Sequence, residues 1–298
     1  MPTFQYEDED FYYGVDRTTR WRKNPEAIVN PPVRIQLPTP TRHGRSGNTI
    51  ISSWGLIITL EMIRLIVKYT NMKIASVRPR YERASDARDT NEVEIRALLG
   101  LLYNAGIHKA SHVNLTNLYA TDGNSIEIFR CIMSYNRLWF LLVNLRFDDL
   151  RNRNNRRIND KFTAFREIFE KFVSNIQTAY SPRQNVTIDE IMVVCKGRCR
   201  FKVRMPNKPI KEGIKLYAMC DAQTYYCYNV ETYIGRQNQG NYQLSNATSD
   251  VVKRLVRPIA GSNRNITCDN YFTSMPLAMD LKREFQLTLV GTIKKIKQ

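Results

Sequence analysis

Val186-Thr-Ile-Asp-Glu-Ile-Met-Val-Val194 is a short run of β-branched and apolar residues with an aspartate at its centre, and it reads as a strand. The stretches after it keep the same grammar. Lys215 to Asp221 and Tyr225 to Ile234 form a tyrosine-rich hairpin pattern, and Ser249 to Val256 is a short helical pattern stopped by Pro258. Asn265 to Asp269 reads as a strand, Ser274 to Glu284 as a helix and Leu287 to Ile293 as a last strand. Strand, hairpin, helix, strand, helix, strand defines an α/β domain over residues 183–298.

Before Ser181-Pro182 the periodicity is helical. Glu61, Arg64, Lys68 and Asn71 fall at three- and four-residue steps, leaving Ile58, Met62, Leu65 and Ile66 for a buried face. A second helix starts near Asn91, a capping residue with Glu94 three positions on as its capping-box partner. A third is expected over Ser125 to Leu145, and a fourth over Asp160 to Ala179 with Phe162, Phe165, Phe169 and Phe172 along one side. Between these last two lies a basic knot of Arg151, Arg153, Arg156 and Arg157. Residues 53–182 therefore read as an all-helical domain. Residues 1–52 carry the acidic run Glu7 to Asp10 and then Pro25, Pro31, Pro32, Pro38 and Pro40, a density that reads as a disordered arm.

The 298 residues carry 45 Lys and Arg against 28 Asp and Glu, a net charge of +17, which favours polyanionic partners such as nucleic acid. The N-terminus lacks the charged-then-apolar order of a secretory signal, and the most apolar window, Trp54 to Tyr69, is interrupted by Glu61, Arg64 and Lys68. A soluble, intracellular chain with no membrane association is expected. The six cysteines follow no disulfide spacing and fit a reducing compartment. Cys195 and Cys199 are a close pair, read as two thiols on a strand rather than a zinc site; His108 and His112 are read as no metal site either.

Asp189 stands inside an apolar strand and Asp269 at the end of another. A carboxylate among Val and Ile is costly to bury unless a cation or hydrogen bonds compensate it. Two such groups on neighbouring strands would repel, and a divalent cation relieves that repulsion. Mg²⁺ prefers such oxygens, and two ions about 3.5–4 Å apart can hold the attacking and leaving oxygens of an in-line phosphoryl transfer. The local alternative is that Asp189 accepts backbone hydrogen bonds at a strand kink and Asp269 caps a turn with Asn270.

A second feature is cationic. Lys196, Arg198, Arg200, Lys202 and Arg204 alternate at period two and, if extended, project from one face. With Lys208, Lys211 and Lys215 they make eight cations over positions 196–215 against one acid, Glu212. Such a stripe can track a phosphate backbone, or serve as a charge-protected edge strand.

Three blocks resemble a known family. Thr187-Ile-Asp-Glu190, Gly197-Arg198, Phe201, Met205-Pro-Asn-Lys-Pro209 and Gly213-Ile-Lys215 resemble the opening of the piggyBac transposase catalytic domain. Asn265-Ile-Thr-Cys-Asp-Asn-Tyr-Phe-Thr-Ser274 resembles its second signature, and Leu289-Val-Gly-Thr292 the strand after it. The resemblance implies an RNase H-like core in which Asp189 and Asp269 match the first two metal-binding, catalytic carboxylates of a DDE triad. It also implies Mg²⁺ or Mn²⁺ as cofactor, DNA transposon ends and a TTAA target as partners, a possible homodimer, and a nuclear location. The family's third ligand follows an insertion beyond the last strand, so the resemblance implies an incomplete core, inactive alone. A catalytically dead, domesticated DNA-binding or scaffold protein is the alternative.

Overall fold

The computed structural model describes residues 10–13, 20–23, 39–123, 125–206, 209–238, 240 and 242–293. The chain divides into two units, Met1–Ile35 and Gln36–Gln298. In the first, β1 (Phe11–Tyr13) and β2 (Arg20–Arg22) pair antiparallel. In the second, β3 (Thr39–Pro40) is followed among the described residues by eight α-helices: α1 (Ile50–Ile57), α2 (Leu60–Val77), α3 (Glu92–Ile107), α4 (Leu115–Leu118), α5 (Glu127–Ile132), α6 (Tyr135–Asn144), α7 (Arg153–Asn159) and α8 (Arg166–Ala179).

Several helix ends are set by single side chains. Thr49 and Ser52 form a reciprocal capping box that starts α1. Thr59 caps α2, so the continuous apolar pattern through residues 50–80 is bent by 63° at Ile58-Thr59. No single helix among the described residues is long and apolar enough to cross a membrane. Ser134 caps α6 after an extended Met133, splitting the expected 125–145 helix into α5 and α6. Asn91 caps α3 as expected, but Glu94 does not complete the box; it accepts from Arg137 instead, at 2.6 and 2.8 Å. The basic knot also turns inward in part, with Arg153 and Arg156 both paired to the buried Asp148.

The expected arm is shorter at its C-terminal side than residue 52. β3 pairs with β4 (Tyr180–Ser181), and Pro40 is accommodated because this two-strand ladder is all edge. The capping box then starts the helical region at Ile50.

The α/β part contains β5 (Asn185–Val194), β6 (Val203–Arg204), β7 (Glu212–Asp221), β8 (Cys227–Thr232), α9 (Thr248–Val256), β9 (Asn265–Cys268), α10 (Met275–Glu284) and β10 (Thr288–Gly291). The strands join in the order β10-β9-β5-β7-β6, with β8 also on β7. β5, β7 and β8 are antiparallel to one another in sequence, whereas β9 and β10 add parallel to β5. One face carries Val186, Ile188, Tyr217, Met219, Ile266 and Cys268 into a core closed by α9 and α10. On the other, Ala218 and Val230 pack with Ile176 of α8, joining the sheet to the helical part. A separate core, built on Ile63, Ile95, Leu98 and Leu141, holds the helices together. The fold is mixed α/β, as the sequence predicts.

Candidate functional site

The register of β5 and β9 brings Asp189 and Asp269 to the same level of neighbouring chain segments. These parallel neighbours pair Asn185 with Asn265, Val186 with Ile266, Thr187 with Thr267 and Ile188 with Cys268. One step further on each chain come Asp189 and Asp269, both exposed. Ile188 and Cys268 face the buried core, so alternation along β5 turns Asp189 to the opposite face. The Cys268 thiol senses both acids: burial first, then the charges of Asp269 and Asp189, push it up to about 12. Cys268 itself points into the core, on the face away from Asp189.

Each acid also makes the local bond that a structural role would require. Asp189 Oδ1 accepts from the Glu190 N–H at 2.7 Å, and Asp269 Oδ1 accepts from the Tyr271 N–H at 3.0 Å, closing an Asx turn. Thr273 Oγ1 donates to the Asp269 carbonyl at 2.7 Å, which fixes the same turn from behind. These bonds orient the carboxylates and are compatible with metal ligation, since a carboxylate oxygen accepts from more than one direction. Among the described residues no group of three His, Cys, Asp or Glu side chains is arranged to hold a metal ion. The donors present are hard oxygens, which suit Mg²⁺ or Mn²⁺.

The cationic stretch departs from its expected form. β5 ends at Val194, and residues 195–202 form a loop rather than a strand; Val203–Arg204 alone of this stretch pairs, as β6 against Glu212–Gly213. The loop carries the chain from one side of β7 to the other, because Gly213 is paired to Val194 on one flank and Val203 on the other. A Cβ at Gly213 would lie 2.2 Å from the Val193 carbonyl oxygen, so this crossing requires glycine. Phe201 anchors the loop by an edge-to-face contact with Phe162, ring centroids 5.8 Å apart.

Lys196, Arg198, Arg200, Lys202, Arg204 and Lys211 are all exposed, but they do not share the single strand face that period two implied. Lys202 sits 3.5 Å from Glu212. Lys208 lies outside the described residues. Lys215 corrects the expectation outright: it is 7% exposed, with its Nζ 4.8 Å from the Tyr217 ring centre and 4.6 Å from that of Tyr271. Its place in β7 directs it inward with Tyr217, because the two are separated by one pleat. Tyr271 was not singled out in the sequence; the signal for it was its position two residues after Asp269.

Comparisons with known proteins bear on the family and the fold. The profile of a family described as Transposase IS4 matches residues 54–298. A cryo-EM structure of a piggyBac transposase synaptic complex with hairpin DNA is similar over 88% of this chain, with a TM-score of 0.81 and 39% identity. The match covers 54% of that transposase, so this chain spans about half the length of the protein it resembles. The mixed α/β fold is similar to that of a piggyBac transposase. The chain belongs to the piggyBac-type DDE transposase family.

Proposed function

We propose that this chain is a DNA-binding transposase core in which Asp189 and Asp269 are the first two metal-holding carboxylates of an RNase H-like catalytic centre. The observation that carries this reading is the β5–β9 register, which brings two exposed acids to the same level of adjacent parallel strands. The strand order β8-β7-β5-β9-β10, three antiparallel strands extended by two parallel ones, supports the RNase H-like assignment. With Mg²⁺ or Mn²⁺ bound, the ion would polarise a phosphodiester and activate the attacking oxygen of water or of a DNA 3′-hydroxyl. The protein's own part is to hold the two carboxylates fixed through the Glu190 and Tyr271 amides, and to bring phosphates near them.

For that second task the stretch of residues 195–204, a loop followed by β6, is well supplied. Its five exposed cations follow β5 directly, on the carboxyl side of Asp189. Mobile ammonium and guanidinium groups on a loop can adapt to a phosphate backbone without reading its sequence. The relative of known structure was captured as a synaptic complex with hairpin DNA. By extension we assign transposon-end DNA as the partner, with a TTAA target, assembly as a homodimer and action in the nucleus.

Asp189 and Asp269 contribute ligands rather than a whole reaction, so the test reads binding. Fluorescence-labelled duplex DNA should bind the purified chain, and Mn²⁺ should bind saturably with loss of that binding in Asp189→Asn and Asp269→Asn. Mn²⁺ binding indifferent to both substitutions would refute the metal assignment, and absence of DNA binding at low salt would refute the other half.

A further inference from the structure

Beneath the Asp269 turn lies a polar cluster that the proposed chemistry does not use. Lys215 is buried with its ammonium between the rings of Tyr217 and Tyr271. Tyr217 is itself 2% exposed. Glu190, next to Asp189 in the chain, stands directly opposite Tyr217 in the β5–β7 register. Phe272 closes the cluster, with its ring 5.0 Å from Tyr271 and 5.9 Å from Tyr217. A lysine ammonium is expensive to take out of water, and two aromatic faces offset part of that cost.

Tyr271 connects this cluster to the acid. Its ring is held by Lys215, and its backbone N–H is the donor to Asp269 Oδ1. We propose that Lys215 is a positioning residue for the metal-binding carboxylate: by clamping the Tyr271 ring it fixes the amide that orients Asp269. The inference rests on the reading of Asp189 and Asp269 as metal ligands. It assigns to Lys215 a role distinct from the phosphate contact that its place in the cationic stretch suggested.

Electrostatics alone makes the opposite forecast, which gives the test its edge. A cation near a metal site weakens metal binding, so removing it should tighten Mn²⁺ if Lys215 were a bystander. Loss of an orienting group behind a ligand instead weakens the metal, typically by about tenfold or more. Free Mn²⁺ would be followed by electron paramagnetic resonance in titrations of the 298-residue chain. The variants are Lys215→Met, Lys215→Arg, Tyr271→Leu, Asp189→Asn and Asp269→Asn, with thermal unfolding in EDTA run on each.

The expected result is roughly tenfold weaker Mn²⁺ binding in Lys215→Met and in Tyr271→Leu, with recovery toward wild type in Lys215→Arg. Tyr271 is 41% exposed, so Tyr271→Leu keeps the inference testable if Lys215→Met does not fold. Unchanged or tighter binding in Lys215→Met or in Tyr271→Leu, while Asp269→Asn abolishes it, would overturn the role of Lys215 and leave the metal reading standing. Binding that survives in both aspartate variants would overturn the metal reading and this inference with it.

Discussion

Arg137 and Glu94 form the best-buried ion pair that joins two helices in the helical part, with side chains 8% and 13% exposed. The guanidinium bonds both carboxylate oxygens, and also donates to the Arg88 and Asp89 carbonyls at 3.0 and 3.1 Å. Burial alone would raise the Glu94 carboxyl, but hydrogen bonds from Arg137 and Thr90 outweigh it and hold it below its ordinary value. Breaking such a pair from one side leaves a charge without its partner. Arg137→Met should therefore cost roughly 3 kcal/mol in urea unfolding, and the double variant Arg137→Met, Glu94→Gln noticeably less. The pH dependence follows from the sign of the shift. A depressed folded value means the contribution is complete above the unfolded carboxylate pKa and is lost as pH falls through the lower folded one. Acid should thus erode the wild type more steeply than the double variant; parallel stability curves below pH 5 would contradict this. At this scale the sequence was legible for the cap, since Asn91 advertises itself, and illegible for Glu94, whose partner lies on a different helix.

The hairpin of β7 and β8 shows the same logic at the scale of an element. Its turn is organised by Asp221, which is fully buried and accepts from the amides of Arg183, Gln223 and Thr224 at 2.6, 2.9 and 3.0 Å. The Tyr180 hydroxyl adds a fourth bond at 3.2 Å, tying the turn to the end of α8. Asp221→Ala would remove the shared acceptor of these part-buried amides, and should destabilise the chain by about 1–2 kcal/mol in chemical denaturation. A loss under about 0.5 kcal/mol would mean that water reaches the turn. The strands themselves were readable because β-branched runs bounded by turn residues mark them. Helix breaks were not, since the apolar period runs unbroken across Ile58-Thr59 and Met133-Ser134 while a capping hydroxyl ends it. Nor was the end of β5. Alternating cations imitate strand periodicity, yet here the chain crosses from one flank of β7 to the other, from Val194 to Val203, and the crossing is a loop.

For the whole molecule, the excess of positive charge becomes a binding prediction. Affinity for duplex DNA should fall linearly on a log scale with salt, each phosphate contact steepening the slope by about 0.9. Replacing Arg198, Arg200, Lys202 and Arg204 by alanine should reduce that slope, while Lys215→Met should not, because Lys215 is enclosed. An unchanged slope in the fourfold variant would place these side chains in solvent alone. The site was half legible from the sequence: Asp189 and Asp269 were conspicuous as acids in apolar strands, whereas their shared level depends on a pairing across some eighty residues that spacing cannot reveal.

If Asp189 and Asp269 hold one ion between them, its position can be read directly from where a bound metal cuts the chain. Ferrous iron loaded in place of magnesium, with ascorbate and peroxide, releases hydroxyl radicals where it is bound and cleaves the nearby backbone. Two sets of fragments are expected, ending near residues 189 and 269, both suppressed by excess Mg²⁺ and both lost in Asp189→Asn. Cleavage at one of the two segments alone, or a pattern that Asp189→Asn leaves unchanged, would contradict a shared ion.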